Sequence, residues 1–275
     1  MIRKITLTAM VVSISACTAP EAVYVSGSST VLPPVSKAAD IFTAETGISV
    51  IVNAGGSGGG FNQLAEGQTD IGMMSRNITA AERKAFSHLS FTEIAIGRDA
   101  VVPSISSEIY NEGVKSLTLS QIANIYTGDI KNWREVGGPD RDIFVIDKEV
   151  SRGTRQVFMD VILGDPKAEA PGADLVTGSN NEEQTALVQS DAAIGMLSVA
   201  WLNDDVRGLS IILDDGTRVD PSIKNIRAGA YPFVRDLNIV RRADLKPAAE
   251  QFMIYLLEDD GQEIVEKSGY IGAAN

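Results

Sequence analysis

One cysteine and one histidine occur in 275 residues. So few thiols and imidazoles argue against a disulfide framework, a zinc or iron centre, and a triad relayed through histidine. Positive charge is also short: Lys and Arg number 24 against 36 Asp and Glu, a net charge of −12. Nucleic acid and anionic membrane surfaces both call for a basic face, so neither is an expected partner. Past the N-terminus no apolar run approaches the ~20 residues that span a bilayer. The whole chain is 44% hydrophobic and 22% charged, the composition of an ordinary globular protein. An acidic body that binds something small fits these limits, as does an enzyme working with carboxylates alone.

The first seventeen residues read as a leader. Arg3 and Lys4 precede an uncharged stretch from Ile5 to Ser15, and Ile14-Ser15-Ala16-Cys17 follows. A basic start, a short apolar run and small residues before a cut describe a secretory signal. The only cysteine stands where the signal ends, and Ile-Ser-Ala-Cys resembles the bacterial lipobox. That resemblance implies a diacylglycerol on Cys17 and a periplasmic or otherwise extracytoplasmic domain anchored to a membrane. Acyl chains contribute ~0.8 kcal/mol per buried methylene, so two or more hold a soluble domain in place. The competing reading is an ordinary cleaved signal.

Beyond the leader, strands alternate with helices. A strand over 21–25 runs into Gly27-Ser28-Ser29-Thr30, and a helix follows over 31–46, with Pro33 and Pro34 in its first turn and Gly47 as its stop. A strand over 48–52 leads into the glycine loop 53–60, then a helix from Phe61. A third strand, 70–76, ends in Ser75 and Arg76. A second α/β pattern holds helices over 119–126 and 154–163 and strands over 143–146 and 193–198. Apolar segments 93–102 and 231–241 flank it, and one helix over 247–267 closes the chain. The alternation predicts an α/β fold with a largely parallel sheet, whose ligands sit beyond the carboxyl ends of the strands.

Four loops share a chemistry. A buried oxyanion must be met by inward-facing donors or desolvation forbids its binding. Helix N-termini supply N–H groups and partial positive charge, glycine lets the backbone close in, hydroxyls add short donors, and arginine adds a planar fork. The loops at 27–30, 55–60, 70–76 and 147–155 each hold such residues. Singly, each also reads as a plain helix cap or turn. Lys148, Arg152 and Arg155 around the start of one helix oppose its dipole, a conflict that a bound anion would remove.

The residues Val25 to Pro33, the loop from Asn53 to Leu64 and the segment Asp70 to Arg76 resemble the phosphate-binding proteins of bacterial ABC transporters. The stretch Ile125 to Asp140, Ser151 to Arg155, and Ala193 to Met196 extend the match in family order. The resemblance implies a type II periplasmic binding fold, with two α/β lobes on a two-strand hinge. Lobe I would be 22–97 with 232–275 and lobe II 98–231, after the signal 1–17. It implies capture of inorganic phosphate for an ABC permease by a monomer that needs no cofactor or metal and catalyses nothing. By position, Ser29, Thr30 and Val31 would contact the anion from the first loop, Ser57 from the second, and Ser75 and Arg76 from the third. Arg152, Gly153 and Thr154 would contact it from lobe II. Arg76 stands where many relatives carry Asp, Arg152 where they carry Ser, and Lys148 where they carry Arg, changes that imply a more positive pocket. Sulfate, molybdate or tungstate therefore stay open as ligands, as does a sensing or adhesive lipoprotein. A phosphoesterase lacks a sequence-level base or metal cluster.

The remaining conspicuous residues read as structural. His88 is a surface or packed residue. Met73, Met74 and Met196 fill the core, and Trp133 and Trp201 anchor it. Asp214, Asp215 and Asp220 make a solvated turn, and Glu182-Glu183 an exposed first helical turn.

Overall fold

The computed structural model describes residues 22–273; the leader with Cys17 lies outside the described residues. The chain opens with β1 (Val23–Gly27), α1 (Leu32–Thr46), β2 (Val50–Ala54), α2 (Gly56–Ala65), β3 (Ile71–Met74) and α3 (Ala80–Ala85). A sixteen-residue strand, β4 (Phe91–Ser106), leads to α4 (Ser107–Asn111), β5 (Ser116–Thr118), α5 (Leu119–Thr127), β6 (Phe144–Lys148), α6 (Gly153–Leu163), β7 (Leu175–Thr177), α7 (Asn180–Val188) and β8 (Ala193–Ser198). Then come β9 (Val206–Gly208), β10 (Ser210–Ile212), β11 (Arg218–Val219), α8 (Ile223–Arg227), β12 (Val234–Arg242), α9 (Pro247–Leu257), α10 (Asp259–Lys267) and β13 (Ile271–Gly272). Among the described residues no helix is long and apolar enough to cross a membrane.

The main sheet runs β2-β1-β3-β12-β4-β8-β6-β7, with β9 and β13 added to β4. It is parallel toward both ends and antiparallel in the middle, where β12 pairs with β3 and β4, and β4 with β8. The predicted largely parallel sheet is thus mixed, because two distant apolar segments come back to lie side by side. Register on β4 and β12 sets Asp99 directly opposite Arg235 and Arg98 opposite Asp236. Successive side chains point to opposite faces, so one oppositely charged pair is buried and the next exposed.

Apolar side chains gather in two large clusters. One joins Val23, Val35, Phe42, Met73, Ile239, Phe252 and Leu256 beneath α1, α9 and α10. The other joins Val101, Ile125, Tyr126, Trp133, Phe158, Met196 and Phe233. Trp133 is fully buried and its Nε1 donates to the Ala192 carbonyl at 2.9 Å, the packed anchor expected of it.

Two boundaries and the burial of one residue depart from expectation. The glycine run is not a loop: α2 begins at Gly56 and carries Ser57 in its first turn. Packing explains this against propensity, since a Cβ on Gly60 would lie 2.5 Å from Gly27 Cα and 2.6 Å from the Ser26 carbonyl. The C-terminal helix breaks at Glu258, which is extended (ψ 169°) and ends α9 while starting α10. Asp259 and Asp260 then fall in a first turn, where carboxylates are favoured over a helix interior. Glu183 is not exposed; it is fully buried on the inner face of α7 while Glu182 faces solvent.

Gly60→Ala should force α2 off β1 and lower unfolding free energy by roughly 1–3 kcal/mol, read from the urea midpoint. An unchanged midpoint would contradict this close approach.

Candidate anion-binding site

Residues from four strand–helix junctions meet in one buried cluster. Ser28 lies in the turn before α1, and its Oγ accepts from the Thr30 N–H at 3.2 Å and donates to Ser75 Oγ at 2.9 Å. Ser57, in the first turn of α2, accepts from the Ser75 N–H at 3.1 Å, and the two hydroxyl oxygens are 3.4 Å apart. Thr30 Oγ1 is 3.3 Å from Thr154 Oγ1, across 124 positions of sequence. Gly153 opens α6 against Ser57 and Ser75. A Cβ there would be 2.7 Å from Ser75 Oγ and deep inside contact distance of Ser57 Oγ. The Gly58 N–H donates to the Ser151 carbonyl at 3.2 Å. The N-termini of α2 and α6, each carrying partial positive charge, are therefore in direct contact.

Arg235 underlies the cluster. Its Nη1 donates to Thr154 Oγ1 at 3.0 Å and its Nη2 to Thr30 Oγ1 at 3.2 Å. Its Nε and Nη2 also hold Asp99 Oδ2 at 3.0 and 2.7 Å, while Ser198 donates to Asp99 Oδ1 at 2.8 Å. Burial pushes the Asp99 carboxyl up from its ordinary value, against the pull of Arg235. Asn180, the first residue of α7, donates from Nδ2 to Thr30 Oγ1 at 3.1 Å. The Tyr270 hydroxyl, from the last segment of the chain, donates to the Thr30 carbonyl at 2.7 Å.

The structure thus brings Thr30, Ser57, Ser75, Gly153 and Thr154 together. Ser29 is half-buried in the turn before α1. The Val31 N–H is bonded to the Ser28 carbonyl at 3.1 Å and starts the helical ladder. Arg76 and Arg152 are diverted. Arg76 forms a two-pronged pair with Glu82 at 2.7 and 2.9 Å, where Glu82 also closes the capping box of α3. Arg152 pairs with Glu149 and lies over Gly56, whose Cβ would sit 2.8 Å from its Cδ. Lys148 pairs with buried Glu183, and Arg155 holds Asp147 at 3.0 Å. All five cations around the cluster have a carboxylate of their own. The expected helix-dipole conflict at α6 is therefore met internally, and the surroundings of the cluster are less positive than the arginines suggested. The cluster itself consists of hydroxyls, helix N-termini and one guanidinium.

Arg235 and Asn180 escaped the sequence reading. A signal for Arg235 was present, because Asp99 and Arg235 are opposite charges interrupting the two apolar segments that flank the second α/β pattern. Asn180 sits in a polar run without periodicity and left no such mark.

Comparison with known proteins fits this geometry. A profile of the PBP superfamily domain matches residues 15–260. The chain is 33% identical over 250 residues to the phosphate-binding protein PstS of Bacillus subtilis, covering 90% of this chain and 79% of that one. The chain belongs to the PstS family. PstS of Staphylococcus epidermidis is 30% identical over 261 residues, 90% of this chain and 77% of its own. A candidate phosphate ABC transporter substrate-binding protein of Clostridium perfringens, solved with bound phosphate, superposes with a TM-score of 0.83 at 28% identity. That match covers 92% of this chain and all of the other. An ABC-type phosphate transport receptor from Vibrio cholerae superposes at 0.73 with 26% identity, over 91% of this chain and 100% of its own. The fold is the type II periplasmic binding fold, as the resemblance implied, and these PstS relatives are transport receptors rather than enzymes.

Glu183 gives the site a pH signature. Burial raises its carboxyl from 4.5 to about 7, with Lys148 and the Met196 N–H pulling the other way. A folded-state value above the unfolded one means that the native protein binds the extra proton. The contribution is present below about pH 4.5 and is lost as pH rises through about 7. The urea midpoint should therefore fall between those limits, and Glu183→Gln should flatten that fall. An identical slope in the variant would contradict the assignment.

Proposed function

We propose that this protein is a lipid-anchored, extracytoplasmic receptor that captures inorganic phosphate between two lobes and hands it to an ABC permease. The observation that carries the reading is the meeting of Thr30 and Thr154, 124 residues apart, on the single guanidinium of Arg235. Its PstS relatives bear the name phosphate-binding protein, and one structural neighbour was solved with phosphate bound.

The lobes would be 22–97 with 232–275, and 98–231. Support comes from the two apolar clusters, one drawn almost wholly from each set of residues, and from β4, which runs from one set into the other with the start of β12 paired against it at the crossing. Opening would part Thr30, Ser57 and Ser75 from Gly153, Thr154 and Asn180. Closure would then bring both sets onto one anion, with binding shifting the open–closed balance. In this reading the hydroxyls and the α2 and α6 N-termini hold the anion's oxygens, and Arg235 supplies charge at the hinge. Arg76 and Arg152 act as braces, each fixing a loop through its own carboxylate. No bond is made or broken. The lipobox-like end of the leader supports anchoring through Cys17, which suits hand-over at a membrane.

Phosphate should raise the melting temperature and bind with one site per chain by calorimetry, since a ligand at a hundred times its Kd stabilises by about 2.7 kcal/mol. Arg235→Lys retains a cation for Asp99 but loses the fork, and should weaken phosphate by about tenfold or more. A melting temperature indifferent to millimolar phosphate would overturn the reading. Cys17→Ser should move the protein from the membrane fraction to the soluble one; continued sedimentation with membranes would remove the lipid anchor.

A further inference from the structure

Three side chains from distant parts of the chain, Thr154, Asn180 and Arg235, meet on the Thr30 hydroxyl. A hydroxyl is only as well placed as the backbone it hangs from, and this backbone has a gap in its hydrogen bonding. Where α1 begins, the Leu32 N–H donates to the Ser28 carbonyl at 3.1 Å and the Val35 N–H to the Val31 carbonyl at 3.3 Å. By the same four-residue spacing the Thr30 carbonyl looks to residue 34, or to residue 33 in a tighter turn. Both are prolines in the first turn of the helix, and a proline has no N–H to give. Thr30 is 1% exposed, so water does not make up the loss. A buried carbonyl without a donor is costly and calls for a partner from elsewhere.

That partner is the buried Tyr270 hydroxyl, which donates to the Thr30 carbonyl at 2.7 Å. Tyr270 is itself held in place. The two residues after it, Ile271 and Gly272, pair with Arg98 and Gly97 of β4. Gln262 of α10 accepts from the Ala273 N–H at 2.8 Å and donates to the Ile96 carbonyl at 3.2 Å. We propose that Tyr270 is a positioning residue for anion binding: its hydroxyl stands in for the helical donor that Pro33 and Pro34 withhold, and so fixes the backbone that presents the Thr30 hydroxyl. The inference rests on the anion-binding reading above. Without the hydroxyl, the peptide between Thr30 and Val31 turns in search of another donor. Only part of the protein then holds Thr30 in the binding pose, and affinity falls by that fraction.

Tyr270→Phe keeps the ring and removes only the hydroxyl, and calorimetry should find phosphate bound about three- to tenfold more weakly. Pro34→Ala returns an N–H four residues on from Thr30. Alone it should leave phosphate affinity within about twofold of wild type, and added to Tyr270→Phe it should bring affinity back to within about twofold. A tyrosine that served packing alone would show no such rescue, since a proline in another helix does not replace its contacts. The proposal falls if Tyr270→Phe binds phosphate as tightly as wild type, or if Pro34→Ala recovers nothing in the double variant. Should Tyr270→Phe fail to fold, hydrogen exchange on the wild type decides: the amides of residues 28–32 should be protected without phosphate, and rapid exchange there overturns the proposal. Failure of the wild type to bind phosphate would instead overturn the anion-binding reading itself, and this proposal with it.

Discussion

The cross-strand pair of Asp99 and Arg235 is the constraint on which the rest of the site depends. Both side chains are buried, at 0% and 6% exposure, and a buried charge must be paired and hydrogen-bonded to be tolerated. Asp99 takes Nε and one edge of Nη2, which fixes the plane of the guanidinium. The remaining N–H groups then point at the hydroxyls of Thr30 and Thr154. Two strands that cross the middle of the sheet therefore aim a donor at two loops that neither strand belongs to. The loops come to the guanidinium, and it is held between two paired strands in the middle of the sheet.

Charge is handled throughout by local pairing. Arg76, Lys148, Arg152 and Arg155 would leave a strongly positive cleft if unpartnered, yet each is tied to a carboxylate. The acidic chain thereby presents oriented dipoles to a guest without a large standing field. Oriented groups cost no reorganisation when an anion arrives, whereas loose cations would have to shed water and find a pose.

Much of this was legible in the sequence. Alternating strands and helices, the stop at Gly47, the helix start within one residue of Thr154, and the ordered loop motifs gave the fold class and most of the cluster. Hydroxyls and glycines at strand ends are local signals, readable because a helix start has few ways to be built. What stayed hidden depends on distance. The fate of Arg76 needs Glu82 on the following helix, and that of Lys148 needs Glu183 thirty-five residues on. The buried face of α7 needs β8 beside it, since Glu183 also accepts from the Met196 N–H. The helical start of the glycine run needs β1 beneath it. Partners of that kind are chosen by the folded chain, and no periodicity announces them.

The brace from Tyr270 has a temporal side. Its hydroxyl reaches the Thr30 carbonyl across 240 positions, and Arg235 reaches the same residue across 205. The first loop emerges from the ribosome long before either partner exists. Contacts this remote form late and slowly, because a long loop must close before they give any return. The assembled cluster is therefore a property of the finished polypeptide alone: a nascent chain has the hydroxyls of the first loop but nothing to hold them in place.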